Sequence, residues 1–159
     1  MRRIWKLTLA LLVLLGLAAC AGENDAPPLY ALGDVERISQ SEAFTAELND
    51  LEEVDADTAF ALYRLGDSGL VREDLKESAV LRSAGATCEE AAVLVFTSAD
   101  KAKTAADALQ DYLAGQMDSN RDYRPAEIPK LENALVDLRG ETLLLVVAND
   151  LDAAQNALK

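Results

Sequence analysis

Few residues in this 159-residue sequence have the types and spacing that chemistry requires. Nucleophilic or metal-assisted catalysis usually draws on histidine, and there is none. The two cysteines are Cys20 and Cys88. A nucleophilic thiol needs its pKa lowered by a cation, a histidine or a helix N-terminus. Cys88 is followed at once by Glu89 and Glu90, which act the other way, so it reads as a small residue in a strand-entry loop. In "DSNRDY", Asp118, Asn120 and Asp122 have the 1-3-5 spacing of an EF-hand loop. That pattern then fails, because Tyr123 stands where the glycine belongs and Pro129 where the bidentate glutamate belongs. The segment reads as a polar loop at a helix end. Acidic pairs such as Glu52-Glu53 and Asp150/Asp152 are expected by chance among 28 carboxylates. Neither a G-x-S-x-G elbow nor a glycine-rich phosphate loop occurs. The residues therefore predict no enzyme and no cofactor. The strongest surface candidate is a binding rim of Tyr112, Tyr123, Pro125 and Pro129, set against the alternative that these residues fix a long connection to the core.

Cys20 belongs to a different pattern. "MRRIWK" carries Arg2, Arg3 and Lys6, and the 13 residues Leu7 to Ala19 that follow are apolar apart from Thr8 and Gly16. A membrane-spanning helix needs about 20 residues, so this run has the length of a secretory signal's apolar region. It ends in Leu17-Ala18-Ala19-Cys20, which resembles the lipobox of bacterial lipoproteins. That resemblance implies a signal peptide over 1–19, acylation of Cys20, and a domain lipid-anchored on the outer face of the bacterial cytoplasmic membrane. After cleavage, 12 basic residues would face 28 acidic ones, a net charge of −16. Such a surface repels nucleic acid and anionic lipid headgroups. With Cys20 acylated, Cys88 has no partner for a disulfide within the chain.

The elements that must position any site follow from patterning. "AGENDAPPLY" and its surroundings, residues 20–33, read as an extended tether. Residues 34–159 read as one domain. Asp34 is expected to cap a helix from Val35, and Phe44, Leu48 and Leu51 to continue as short or broken helix. Asp55 or Asp57 should cap a helix through "TAFALYRL" that Gly66 ends, with one further helical turn between Leu70 and Leu75. Strands are predicted over Ser78–Ser83, Ala91–Phe96, Ala134–Leu138 and Thr142–Ala148, the last two a hairpin turning near Gly140. Ser98 should cap the longest helix, whose stripe is Ala102, Ala106, Leu109, Leu113 and Met117. A loop broken by Pro125 and Pro129 follows it, and a short helix capped near Asn149 or Asp150 closes the chain.

The predicted class is α+β: N-terminal helices, then strand-strand-helix-strand-strand-helix, with a mainly antiparallel four-stranded sheet. "AAVLVF" and "LLLVVA" lack polar alternation, so they should be adjacent, central and covered on both faces.

Three stretches, "SEAFTAELNDLEEVDADTAFALYRL", "SAGATCEEAAVLVF" and "YRPAEIPKLENALVDLRGETLLLVV", resemble a family of small lipoproteins from Gram-positive bacteria known as a domain of unknown function. The resemblance covers roughly Val35 to Lys159 and carries no catalytic motif. Together these readings lead to a lipid-anchored extracytoplasmic module that binds or interacts with an envelope protein or a small molecule. The alternative is an accessory subunit docking on an envelope complex through an apolar sheet face, with an enzyme third.

Overall fold

The computed structural model describes residues 26–45, 51–85 and 87–159. The expected signal peptide, Cys20, the first part of the tether and Leu48 lie outside the described residues. Among the described residues no helix is long and apolar enough to cross a membrane.

The helices are α1 Gly33–Ser39, α2 Ala56–Leu62, α3 Ala99–Asn120, α4 Ile128–Glu132 and α5 Leu151–Asn156. The strands are β1 Leu51–Glu53, β2 Leu75–Ser83, β3 Glu90–Phe96, β4 Leu135–Arg139 and β5 Thr142–Val147. They form one antiparallel sheet in the order β1-β2-β3-β5-β4. The expected adjacency of the two apolar strands is observed, with Val93 opposite Leu144 and Leu94 opposite Leu143.

Their lack of alternation has the expected cause. Successive side chains of a strand point to opposite faces, and here both faces are covered. One face carries Ala92, Leu94, Phe96, Leu143, Leu145 and Val147 beneath α2 and α3. The other carries Ala91, Val93, Leu144 and Val146, covered by Tyr30, Val35 and Ile38 from the N-terminal side and by Ala154 of α5.

Local signals account for most helix starts. The side chain of Ser98 accepts from the Lys101 amide at 3.3 Å, opening α3. Asp55 accepts from the amides of Asp57 and Thr58 and opens α2, and Asp150 accepts from Ala153 and opens α5.

Several expectations are corrected. Among the described residues the sheet has five strands, not four. The fifth is Leu51–Glu53, which pairs with Leu81–Ser83 of β2 instead of continuing a helix. Three residues carry too little periodicity to reveal a strand, and the free edge of β2 decides it. Asp34 does not cap α1. It sits inside the first turn, where its carboxylate accepts from the Ala31 amide and from Arg37. Gly66 does not end α2, because the helix stops at Leu62 so that Tyr63 and Leu65 both enter the core. The left-handed position is taken by Arg64 at φ 53°, and the 3-10 turn Leu65–Ser68 closes on Gly69 at φ 82°.

The loop expected after α3 is largely helical: Pro125 opens a 3-10 turn and Pro129 lies in the first turn of α4. Proline disrupts helix interiors but is tolerated in a first turn. The tether, too, ends earlier than expected, since Tyr30 is buried. Its amide donates to Thr142 Oγ1 at 3.0 Å, its hydroxyl donates to Asp137, and Arg139 stacks 4.1 Å over its ring.

Two-sided cover of β5 yields a test. Leu144 and Leu145 point to opposite faces and both are fully buried. An unpaired buried carboxylate costs several kcal/mol against a typical stability of about 5–15 kcal/mol. Leu144→Asp and Leu145→Asp should therefore each unfold the domain or collapse its melting temperature, as read by circular dichroism. A variant that melts like the wild type would mean that its face is uncovered.

Candidate functional site

Polar and charged groups concentrate at one end of the sheet. β3 begins at Glu90, directly after Thr87, Cys88 and Glu89, and the strand is apolar beyond it. Because both faces of β3 are covered, these carboxylates are carried inside with it. Glu89 and Glu90 are 1% and 2% exposed, which obliges the fold to supply partners.

Glu90 lies under α3. Its Oε1 accepts from the Tyr63 hydroxyl and its Oε2 from the Tyr112 hydroxyl at 2.8 Å. The two tyrosine rings meet edge to face at 5.1 Å. Arg82 Nε stands 4.0 Å from Oε2. Burial pushes the Glu90 carboxyl above the usual glutamate range, while the tyrosine donors and Arg82 pull the other way. Tyr63 and Tyr112 are raised by their own burial and by the facing carboxylate.

Glu89 turns to the opposite face. Its Oε1 accepts from the Thr45 amide at 2.8 Å, the Thr45 hydroxyl at 2.7 Å and Lys130 Nζ at 3.0 Å. Lys130 also reaches Glu127 at 3.2 Å, and Glu127 accepts from the Cys88 amide at 2.8 Å. This network ties α4, the β2–β3 connection and the chain before β1 together.

Between β2, β3, α3 and the segment after α3 lies a cavity of about 40 Å³, whose lining includes Arg82, Cys88, Glu90, Tyr112, Gln116 and Arg124. That is room for water-sized occupants. Arg82 Nε is buried and makes no hydrogen bond to a protein group. Arg124 closes one side, donating to Asn120 at 2.6 Å and to the Gly85 carbonyl at 2.7 Å. The Cys88 thiol is raised, first by burial and further by Glu127, against the lowering effect of Arg124 and Lys130. It is poorly suited to act as a nucleophile at neutral pH. Both Glu90 oxygens are already engaged by hydroxyls. The arrangement holds a buried carboxyl and a small polar cavity, and it pairs no activated nucleophile with a base.

The expected binding rim separates. Tyr112 is corrected: it is 8% exposed and turned inward to Glu90, because its position on α3 faces the sheet. Tyr123 is 88% exposed, and Pro125 and Pro129 are exposed as well. Pro129 lines an open groove of about 440 Å³ with Ala126, Lys130, Asn133, Asn149 and Asp152. The Asp118/Asn120/Asp122 series does not converge. Asn120 is buried in the last turn of α3, bonded to the Gln116 carbonyl and to Arg124, while Asp118 pairs with Arg121. Among the described residues no group of three or more His, Cys, Asp or Glu is placed to hold a metal ion.

Patterning overlooked Arg82, Glu89, Glu90 and Glu127. The available signal was position: two adjacent acids open a strand with no polar face, so neither could remain in water.

A family model described as a domain of unknown function, DUF4358, matches residues 45–148. The chain belongs to that family. The matched span holds the whole sheet with α2, α3 and α4, while α1 and α5, which cover the second face, fall outside it. No curated protein and no solved structure matches the chain.

The Glu90 network predicts a signed pH effect. A carboxyl whose folded-state pKa lies above the ordinary 4.5 leaves the native state holding more protons than the unfolded chain. Its contribution is thus most favourable below about 4.5 and is lost as pH rises toward the raised value. Asp55 and Asp74, lowered in the fold mainly by backbone amide donors, act in the opposite direction, so the contribution must be read as a difference. Glu90→Gln should gain stability relative to wild type as pH rises above 4.5, measured by urea unfolding. A pH-independent difference would mean that the fold does not raise the Glu90 carboxyl above its unfolded value. Tyr63→Phe and Tyr112→Phe, each leaving one Glu90 oxygen without its donor, should cost about 1–3 kcal/mol.

Proposed function

We propose that this chain is a lipoprotein whose signal, residues 1–19, is removed, whose Cys20 is acylated, and whose domain acts on the outer face of the bacterial cytoplasmic membrane as a non-catalytic binding or interaction module. The anchor rests on the sequence Leu17-Ala18-Ala19-Cys20, and the way the chain enters the domain supports the orientation that such an anchor would give. Pro28, Leu29 and Tyr30 are seamed to the β4–β5 turn. The Pro28 carbonyl accepts from Arg139 at 3.2 Å, Tyr30 is bonded to Thr142 and Asp137, and Leu29 packs against Gly140 at the turn.

The register makes that turn one end of the sheet, since Thr142 lies opposite Val95 near the end of β3. The polar cavity, the open groove and Tyr123 belong to the other end, where Glu90 lies opposite Val147. Seven residues of β3 at about 3.3 Å each separate the two ends by about 20 Å. The eight residues from Cys20 to Pro27 reach at most about 28 Å at 3.5 Å each. The root-mean-square span of an eight-residue coil is only about 16 Å, shorter than the sheet, so a lipid at Cys20 would favour the β4–β5 turn toward the bilayer and the cavity end outward.

The absence of an activated nucleophile around Glu90 and Cys88 favours binding over catalysis. An accessory subunit that docks through a sheet face would need a surface other than β5, whose two faces are both buried.

Two measurements test the proposal. A single acyl chain anchors only marginally, whereas two chains, at about 0.8 kcal/mol per buried methylene, anchor firmly. Cys20→Ala should abolish the mass gain of acylation and move the protein out of the membrane fraction; an unchanged mass and fractionation would refute the anchor. In vesicles carrying a lipid-borne energy acceptor, a dye at Glu141→Cys should be quenched far more than one at Tyr123→Cys, both in a Cys88→Ser background. Equal quenching would refute the orientation.

A further inference from the structure

The outer edge of β2 is only partly used. β1 covers Leu81 to Ser83, and beyond it the Val54 amide donates to the Val80 carbonyl at 3.0 Å. Along an antiparallel strand, residues alternate in the direction that their backbone groups face. The Val80 carbonyl faces the β1 side, so Ser78, two residues earlier, turns its N–H and C=O to that same edge. Among the described residues no strand pairs with β2 there.

Beside this open edge runs a groove of about 700 Å³ between α1 and the β1–β2 pair. Its apolar side chains include Val35 of α1 with Ala79 and Leu81 of β2, the last two only half-buried. Its charged residues are Glu36, Glu53 and Asp55, and among the described residues no Lys or Arg lines it. Glu53 lies opposite Leu81 in the ladder and so shares its face, beside the apolar floor.

We propose that this groove is an interaction surface for an extended segment of a partner protein. The segment pairs with β2 through the edge-facing N–H and C=O of Ser78, with an apolar side chain on Ala79 and Leu81 and a basic one between Glu36 and Glu53. Main-chain hydrogen bonds then supply affinity and alternate side chains supply selectivity, as in strand addition generally. The carboxylates choose the sign of the partner's charge. A second copy of this chain is a poor occupant, because its own acidic surface would meet the acidic rim. The inference does not rest on the lipid anchor and concerns a surface separate from the Glu90 cavity.

The test uses the full chain in detergent with a dye-labelled, capped heptapeptide, Thr-Val-Thr-Lys-Thr-Val-Thr, and its counterpart with Glu in place of Lys. By fluorescence anisotropy, the Lys peptide should bind at least about ten-fold more tightly than the Glu peptide, equivalent to about 1.4 kcal/mol. The double variant Glu36→Lys/Glu53→Lys, altered only at exposed positions, should lose that preference or reverse it. Hydrogen exchange should slow at the Ser78 amide when the Lys peptide binds. Equal affinities for the two peptides, a preference that survives the double variant, or unchanged exchange at the Ser78 amide would each overturn the proposal.

Discussion

The structure depends on burying both faces of the β3–β5 pair. Two adjacent strands without a polar side cannot stand at the surface of a sheet in water, so each face must find its own cover. Burial of a large aliphatic side chain contributes about 1.5–3 kcal/mol, and Leu94, Leu143, Leu144 and Leu145 are all fully buried. One cover is supplied by α2 and the long α3. The other is assembled from short pieces distant in sequence: Tyr30, α1 and α5.

That constraint also creates the polar cluster. A strand sealed on both faces drags its first residues inside, and here those are Glu89 and Glu90. Each goes to a different face and finds a different kind of partner. Glu90 receives two tyrosine hydroxyls and the more distant Arg82, and burial keeps its carboxyl above the usual range. Glu89 receives a lysine and Thr45. Removing one partner of such a network leaves a buried acceptor unsatisfied, which costs more than the hydrogen bond contributes. The cluster therefore stiffens the end of the sheet that holds the cavity, while the Tyr30 seam stiffens the end where the chain enters.

The second cover lies outside the matched family span, although β3 and β5, which require it, lie within it. A sheet face this apolar demands cover whatever element provides it. In this chain the demand is met by the first and last described segments, which also places the chain's entry against the β4–β5 turn.

Much of this was legible in the sequence. The capping residues Asp55, Ser98 and Asp150, the stripe on α3, the β4–β5 hairpin around Gly140 and the pairing of the two apolar strands all follow from local periodicity or turn chemistry. Those signals lie within a few residues of one another. Tertiary structure alone decided the rest. β1 is a strand because β2 has an edge to fill, and three residues carry no period of their own. Arg64, not Gly66, takes the left-handed turn because Tyr63 and Leu65 both have to reach the core. Tyr112 faces inward because Glu90 lies beneath it, a contact across 22 residues. Tyr30 leaves the tether because Thr142 and Asp137, more than 100 residues away, offer it hydrogen bonds. The sequence by itself determined which strands had to be buried and where α2, α3 and α5 begin, since those depend on side-chain polarity and near neighbours. Which polar groups meet in the interior was decided only when the sheet closed, because a buried carboxylate takes whatever donors the packing brings within reach.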